Sequence, residues 1–342
     1  MIGRVVGKYR ILAQIGEGGM GIVYRAEHIV LGSPAAVKVL LEQFTRDPVV
    51  VDRFFQEAKA ASGIRHVGIV EVFDYGRLPN GQAYIAMELL RGEDLSAFRA
   101  RRGRLSPDLA AEIGVQVLAA LNATHVVGVV HRDLKPDNII LVRDPGAPGS
   151  IRVKILDFGI AKLIGDRFGA RPQSRGGTIL GTPAYMAPEQ CRGGHQVDAR
   201  ADLYSVGCIL FELLTGRPPF VGSGDGEVMA MHIYEPPPRL TNLAPDLPVE
   251  LDALLAKLLT KSPEDRIPSA AYALATLERV GLRSLAGEVP LSGAHGLPAA
   301  ASVVHLAAPP PPAEPIPRWI PVAVISAALV IAIAVAYMIG VT

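Results

Sequence analysis

"HRDLKPDN", residues 131–138, determines how the rest of this 342-residue chain is interpreted. The stretch contains a carboxylate at Asp133, a cation at Lys135 and a neutral amide at Asn138, and a packed core requires none of these groups. A carboxylate can accept the proton of an attacking hydroxyl, an ammonium can offset developing negative charge, and an amide oxygen can bind a hard cation. The stretch therefore predicts an active site, whose substrate has to be identified from the rest of the sequence.

Composition excludes several classes of protein. The chain has 34 Lys and Arg against 33 Asp and Glu, so binding of nucleic acid through bulk positive charge is not expected. Only two cysteines occur, Cys191 and Cys208, which are too few for a disulfide framework and are consistent with a reducing cytosol. The N-terminal residues contain no apolar run of signal-peptide length, so an N-terminal export signal is not expected.

The chain divides into three zones by composition. Residues 9–282 mix strand and helix patterns, whereas residues 283–318 contain PPPPAEPIP at 309–317 and predict an extended linker. Residues 319–341 include an uncharged run of 22 residues, Ile320 to Val341. A helix of that length spans roughly 33 Å, enough for the hydrocarbon core of a bilayer. The third zone therefore predicts one transmembrane helix.

Flanking residues support the membrane prediction. Trp319 and Tyr337 are aromatics of the kind found at membrane interfaces, and Arg318 favours a cytoplasmic position for the residues before the span. A buried core helix is the alternative, but the linker leaves it without a packing partner. Three alanines spaced by four could pack another span, although a helix that is simply alanine-rich is the better explanation: Ala328, Ala332 and Ala336. Little sequence follows the span, so we expect no extracellular sensor domain.

The first zone predicts a small sheet-rich lobe followed by a larger helical one. Strand patterns occupy Tyr9–Ile15, Gly21–His28 and Ala35–Leu41. From Asp52 to Ile64 the apolar period is helical, and one face carries Phe54, Ala58, Ala61 and Glu57. After Arg91 helices dominate, including one that begins at Ser106 and Pro107 and one over Asp202–Leu214. Two such lobes predict a ligand-binding cleft between them.

"IGEGGMGIVY", residues 15–24, contains G-x-G-x-x-G at Gly16, Gly18 and Gly21. A plain glycine-rich turn and a dinucleotide-binding loop are alternatives. The dinucleotide-binding loop opens a helix, whereas a strand pattern follows here, and the G-K-[ST] of a Walker A loop is missing. Bare glycine backbone can approach phosphate groups closely, so the hairpin predicts a nucleotide site.

Three further charged residues fit a nucleotide site. Lys38 lies within the apolar strand "AAVKVLL", where its ammonium needs a partner, and Glu57 on the following helix could supply one. The alternative is a lysine that reaches solvent from an edge strand. Asp157 follows an apolar run in "ILDFG" and adds a carboxylate to Asn138 as a magnesium ligand; an ordinary turn aspartate is the alternative. Positioning and charge neutralisation of this kind suit phosphoryl transfer.

Taken in order, these motifs resemble those of eukaryotic-like (Hanks-type) Ser/Thr protein kinases, most closely the membrane-anchored branch of bacteria. The resemblance runs from Tyr9 to Arg279 and includes "DFG" at 157–159 and "APE" at 187–189. It implies an α+β, two-lobed protein kinase fold, with a small antiparallel β-rich N-lobe at 9–90 and a larger helical C-lobe at 91–282. The C-terminal transmembrane helix is additional to that fold.

The resemblance also implies the role of each site residue. Catalysis is assigned to Asp133, Lys135, Lys38 and Glu57, and magnesium binding to Asn138 and Asp157. ATP binding is assigned to Ile15, Gly16, Glu17, Gly18, Gly19, Met20, Gly21, Ile22, Val23, Lys38, Glu88 and Leu90. Met87 is the residue that precedes the adenine-binding hinge of residues 88–90, with a simple core role as its alternative.

Other matching positions have supporting roles. Asp202 resembles the aspartate that braces the catalytic loop, and Arg266 the arginine that pairs with Glu189; a helix cap and a surface charge are the alternatives. Thr182 is placed beside the acceptor residue and, with Lys135, favours Ser/Thr over Tyr substrates. The segment between DFG and APE predicts phosphorylation sites at Thr178 and then Ser174, which could pair with Arg132 when modified; an unmodified segment is the alternative.

The expected function is transfer of phosphate from ATP to Ser or Thr of protein substrates, with magnesium, by a membrane-anchored enzyme whose catalytic part is cytoplasmic. A homodimer at the membrane would favour phosphorylation of one copy by another. A nucleotide-binding pseudokinase scaffold is the main alternative, but all four residues that such a scaffold commonly loses are present: Lys38, Asp133, Asn138 and Asp157. A kinase of small molecules is disfavoured by the APE segment and Thr182.

Overall fold

A six-stranded antiparallel sheet forms the N-terminal lobe. The computed structural model describes residues 1–157, 183–193 and 197–285. The strand order is β1-β2-β3-β4-β6-β5. The strands are β1 Val5–Val6, β2 Tyr9–Glu17, β3 Gly21–His28, β4 Pro34–Leu40, β5 Val72–Arg77 and β6 Ala83–Met87. The three predicted strands are confirmed to within two residues at each end. Strand β1 precedes Tyr9, the predicted start of the lobe, because a strand of two residues has no alternation to detect.

Helix α1, Pro48–Ser62, crosses between β4 and β5 and begins four residues earlier than Asp52, the predicted start. The Asp47 side chain caps it by accepting hydrogen bonds from the amides of Val49 and Val50. The apolar periodicity does not predict this early start of the helix, because three consecutive valines follow Pro48. One face of the helix packs under the sheet and is buried: Val51, Phe54, Ala58 and Ala61. This packing fixes the position of Glu57.

The second lobe is mainly helical. A three-stranded sheet of order β7-β8-β9 lies at its start, built from β7 Gly92–Asp94, β8 Ile139–Arg143 and β9 Ile151–Ile155. The helices are α2 Leu95–Arg102, α3 Pro107–Val126, α4 Pro188–Cys191, α5 Arg200–Thr215, α6 Asp225–Tyr234, α7 Leu240–Leu243, α8 Val249–Leu258 and α9 Ala270–Leu285. Helix α9 continues three residues into the predicted linker.

Helices α3 and α5 form the centre of this lobe. Ser106 caps α3 by accepting from the amide of Leu109, as predicted, and Gly216 ends α5 in the left-handed conformation at φ 82°. Every residue of α5 from Ala201 to Leu214 is buried. The helix therefore places its few polar side chains, which include Asp202 and Glu212, inside the lobe.

One helix of the described ranges, α3, is long and apolar enough to cross a membrane. It is a core helix, since it packs against α5 and α9 and buries Ile113, Val117 and Leu121. The predicted transmembrane helix at 319–341 and most of the linker at 283–318 lie outside the described residues.

Candidate active site

The glycine-rich stretch forms a hairpin between β2 and β3. Glu17 pairs with Ile22, and the Gly18 amide donates to the Gly21 carbonyl at 2.9 Å. The chain leaves the turn as a strand, which argues against the dinucleotide-binding alternative. A Cβ on Gly21 would lie 2.8 Å from the carbonyl oxygen of Val39 on β4, so this glycine is required for strand packing. A Cβ on Gly19 would meet nothing within 4 Å, which leaves room above the turn.

The other residues predicted around the hairpin lie on different sides of the sheet. Val23 is the register partner of Lys38 on β4. Ile22 packs instead against the cluster of Tyr24, Val37 and Val39, so its side chain belongs to the sheet's apolar core. The other four positions lie on the hairpin itself, and their contact with ATP stays a prediction: Ile15, Gly16, Glu17 and Met20.

Lys38 is confirmed as a paired, interior lysine. Strand β4 lies between β3 and β6, so the edge-strand alternative is wrong. Its Nζ lies 2.9 Å from Asp157 Oδ1 and 3.9 Å from Glu57 Oε2, and its side chain is only 14% exposed. Side chains from β4, from α1 and from the segment after β9 therefore meet at the Lys38 ammonium group.

The protonation of this trio follows from its burial. Burial alone would lower the pKa of Lys38, but the carboxylates of Asp157 and Glu57 raise it, so the ammonium stays charged. Burial would raise the pKa of Asp157, and the adjacent Lys38 ammonium reverses this and holds it low. Burial raises the pKa of Glu57 to about 8, against the opposing pull of the more distant Lys38. Asp157 is thus the permanently ionised carboxylate of the trio.

The loop before β8 brings Asp133, Lys135 and Asn138 together. Lys135 Nζ lies 3.8 Å from Asp133 Oδ2, and Asn138 Nδ2 donates to the Asp133 carbonyl at 2.8 Å. Residues 136–138 form a 3₁₀ turn that starts with a proline. The Asn138 amide nitrogen is engaged with the loop, so its oxygen is the atom suited to a cation.

Asp202 braces this loop from inside α5. Its carboxylate accepts from the amides of His131 and Arg132, each at 2.8 Å, and lies 2.8 Å from His125 Nε2. The cap of α5 is Ala199, so the helix-cap alternative for Asp202 is wrong. His131 Nε2 lies 2.9 Å from the Leu156 carbonyl, which joins the loop to the residue before Asp157.

The APE segment is held in place by hydrogen bonds to other segments of the second lobe. Both guanidinium nitrogens of Arg266 donate to the Glu189 carboxylate, at 2.7 and 2.6 Å. The Arg266 side chain is fully buried, so the surface-charge alternative is wrong. Tyr185 Oη donates to the buried carboxylate of Glu212 at 2.5 Å, and Arg99 pairs with the same carboxylate at 3.1 Å.

The predicted hinge follows β6. Met87 packs against the cluster between α1 and the sheet, which includes Leu40, Phe54 and Ile85. The Glu88 amide donates to the Glu71 carbonyl, and the Glu88 carboxylate accepts from the Glu71 amide at 2.9 Å and from Lys154 Nζ at 2.5 Å.

The residues present fit a magnesium–nucleotide complex. Asp157 supplies an ionised carboxylate and Asn138 an amide oxygen, both hard ligands, while Lys38 and Lys135 supply positive charge. Within the described ranges no group of three or more His, Cys, Asp or Glu forms a metal site. The ion would therefore need ligands from phosphate or water, as magnesium in phosphoryl-transfer sites commonly does.

Several residues that support the site were not predicted. They are His125, Lys154, Tyr185, Gln190 and Glu212. Their partners are distant in sequence or are main-chain atoms, so no local motif marks them. Five predicted positions lie outside the described residues: Phe158, Gly159, Ser174, Thr178 and Thr182.

Comparison with known proteins agrees with this geometry. A family profile described as "Protein kinase domain" matches residues 9–276. The chain is 45% identical over 276 residues to serine/threonine-protein kinase Pkn1 of Myxococcus xanthus, covering 79% of this chain and 38% of Pkn1. It is 38% identical over 269 residues to serine/threonine-protein kinase PknH of Mycobacterium tuberculosis, covering 79% and 41%. The match thus spans less than half the length of either relative.

A solved structure shares the architecture. The crystal structure of the Mycobacterium tuberculosis PknI kinase domain superposes with a TM-score of 0.63 at 29% sequence identity, covering 82% of this chain and 98% of that one.

Proposed function

This chain belongs to the protein kinase domain family, in its bacterial Hanks-type Ser/Thr branch, and we propose that it transfers the γ-phosphoryl group of ATP to Ser and Thr hydroxyls of proteins. The observation that carries the proposal is the convergence of Lys38, Asp157, Asp133, Lys135 and Asn138 from three separate segments. A scaffold that only bound nucleotide would need no proton acceptor at Asp133.

In this mechanism each residue acts on a defined group. Asp133 accepts the proton of the acceptor hydroxyl as its oxygen attacks phosphorus, and Lys135, 3.8 Å from that carboxylate, offsets charge on the transferred group. Lys38 binds phosphate oxygens of the nucleotide from the sheet side. Asp157 and Asn138 would hold magnesium, which would supply positive charge beside the phosphate groups.

Substrate class follows from the relatives and from the loop. Pkn1 and PknH are named serine/threonine-protein kinases, and Lys135 stands in a D-L-K-P-x-N loop that resembles the form found in Ser/Thr kinases. Two observations therefore support Ser/Thr acceptors: the presence of Lys135 in the loop, and the similarity to serine/threonine-protein kinases. The activation sites proposed are Thr178 first and Ser174 second, with Arg132 as the partner of the added charge.

We further propose that residues 320–341 anchor the chain in a membrane, with the catalytic domain on the cytoplasmic side. The support is the uncharged run of 22 residues, the preceding Arg318 and the aromatics at Trp319 and Tyr337.

The proposed function is tested by incubating the full-length chain with labelled ATP, magnesium and a Ser/Thr peptide mixture. Asp133→Asn should lower transfer at least about 100-fold, because proton acceptance typically contributes that factor. Asp137→Asn is the matched control, since Asp137 is exposed in the same loop and is given no catalytic role. Binding of ATP without transfer by the unmodified chain would favour the scaffold instead, and phosphotyrosine as the main product would contradict the substrate class.

A further inference from the structure

Arg132, the residue before Asp133, has a strained backbone. Its φ is 65°, in the left-handed region that residues other than glycine seldom adopt. Such a conformation persists only where neighbouring groups hold it. The orientation of the peptide between Arg132 and Asp133 sets where the Asp133 carboxylate lies, so the contacts of that peptide bear on catalysis.

Both sides of Arg132 are held by side chains from other segments. The Arg132 amide donates to Asp202 Oδ1 at 2.8 Å, and the Arg132 carbonyl accepts from Gln190 Nε2 at 2.7 Å. The Asp133 amide, across the same peptide bond, donates to His131 Nδ1 at 3.3 Å. Asp202 thus holds the peptide before Arg132, and Gln190 holds the peptide that leads directly to Asp133.

Gln190 is itself fixed in one orientation. Its Oε1 accepts from the amide of Ala187 at 3.0 Å, so only one assignment of its amide nitrogen and oxygen satisfies both neighbours. The residue lies on helix α4 next to Glu189, which the buried Arg266 holds by two hydrogen bonds. A rigid chain of contacts therefore runs from Arg266 through α4 to the Arg132 carbonyl.

We propose that Gln190 is a positioning residue for Asp133, which it orients by binding the Arg132 carbonyl; the proposal rests on the kinase function proposed above. It couples helix α4, which contains Glu189 of the APE motif, to the proton acceptor. Displacement of α4 removes the hydrogen bond and lets the strained peptide relax.

A simpler interpretation is that Gln190 only caps its own short helix through Ala187. Gln190→Glu separates the two, because a carboxylate still accepts from the Ala187 amide but has no hydrogen to donate to the Arg132 carbonyl. Capping alone predicts that this variant is neutral or slightly stabilised, since acidic residues suit the first turn of a helix. Positioning predicts a loss of turnover.

Gln116 provides a matched control. On α3, its Nε2 donates to the Ile151 carbonyl at 2.9 Å and its Oε1 accepts from the Val153 amide at 3.0 Å, the same pair of main-chain bonds away from Asp133. Gln116→Glu therefore makes the same chemical change with the same loss of a donor. It should lower the melting temperature without a specific effect on turnover.

The experiment compares the full-length chain, Gln190→Glu and Gln116→Glu. We expect Gln190→Glu to lower kcat about tenfold, equivalent to about 1.4 kcal/mol, with the dissociation constant of a non-hydrolysable ATP analogue unchanged. Gln116→Glu should keep kcat within twofold. Hydrogen exchange of the peptide that covers residues 131–134 should be at least threefold faster in Gln190→Glu and unchanged in Gln116→Glu.

The outcomes are distinct. Unchanged kcat in Gln190→Glu, or an equal loss in both variants, overturns the positioning role. If the unmodified chain transfers no phosphate, the kinase function fails, and the exchange measurement alone decides whether Gln190 holds the loop. Unchanged exchange in Gln190→Glu then overturns the proposal, and faster exchange supports the structural hold on which it depends.

Discussion

The ammonium of Lys38 lies 2.9 Å from the carboxylate of Asp157, a full ångström nearer than the 3.9 Å that separates it from Glu57. The Lys38 ammonium thus pairs more closely with Asp157 than with Glu57. The nearer carboxylate has a lowered pKa, whereas burial raises the pKa of the farther one to about 8. Lys38 therefore links strand β4 to Asp157, the residue proposed to bind magnesium, as well as to α1.

Replacing Lys38 by Met should lower phosphoryl transfer at least about 100-fold. The change removes a positive charge from the nucleotide phosphates and leaves Asp157 and Glu57 without their shared cation. Lys59→Met, on the exposed face of α1, is the control and should retain full activity. Steady-state kinetics with a peptide substrate test this, and equal activities of the two variants would contradict the role of Lys38.

Replacing Arg266 by Met should lower the free energy of unfolding by about 3–5 kcal/mol, because it leaves the Glu189 carboxylate, which is only 13% exposed, without its partner. Glu189→Gln in the same chain should recover part of the loss. Arg104→Met breaks a largely exposed pair with Asp246 and should cost less than about 1 kcal/mol. Urea unfolding of the three variants provides the measurement, and similar losses for Arg266→Met and Arg104→Met would show that burial does not matter here.

Stability should fall in mild acid because of His232. Burial, with a contribution from the Lys261 ammonium, lowers the pKa of this histidine from 6.5 to about 4, and Tyr204 Oη lies 2.8 Å from its Nδ1. The unfolded chain then binds the proton more readily than the folded one, so stability is lost as the pH falls from about 6.5 towards 4. The loss should be on the order of 3 kcal/mol at pH 4.

His232→Gln keeps an acceptor for Tyr204 but cannot take up a proton at these pH values. Its unfolding free energy should therefore decline less steeply than that of the unmodified chain between pH 6.5 and 4. All other titrating groups are shared by the two proteins, so the difference between the curves isolates His232. Parallel curves would refute the assignment.

Deleting residues 320–342 should release the chain from lipid vesicles. At equal protein and lipid concentrations, autophosphorylation should also slow, because copies confined to a surface meet at a higher effective concentration. The rate of autophosphorylation of the shortened chain should be the same with and without vesicles. Co-flotation of the shortened chain with vesicles would argue against the span, and an unchanged rate on vesicles would argue against activation between copies.

Features encoded by neighbouring residues could be predicted from the sequence. The 131–138 loop, the glycine hairpin and the Ser106 cap each depend on residues within one short segment, and the structure places them as expected. The pairing of Lys38 with Glu57 was also accessible, because a lysine in an apolar strand requires a partner.

Features that depend on long-range main-chain contacts could not be predicted. Gln190 binds a carbonyl 58 residues away, and a carbonyl has no side-chain identity that a sequence pattern could display. Lys154 alternates with apolar residues on β9, a pattern typical of an exposed strand lysine. Only the structure shows that it pairs with Glu88. The start of α1 was missed because its first turn consists of Pro48 and β-branched valines, which weaken the helical signal.

The engagement of the Glu88 carboxylate with Lys154 and the Glu71 amide has a consequence for inhibitor design. On the proposed assignment of residues 88–90 as the adenine-binding hinge, a compound that competes with ATP would meet main-chain atoms there, since Lys154 and the Glu71 amide hold the Glu88 side chain. Main-chain contacts are insensitive to most point mutations, so substitutions of Glu88 itself should change the affinity of such a compound little.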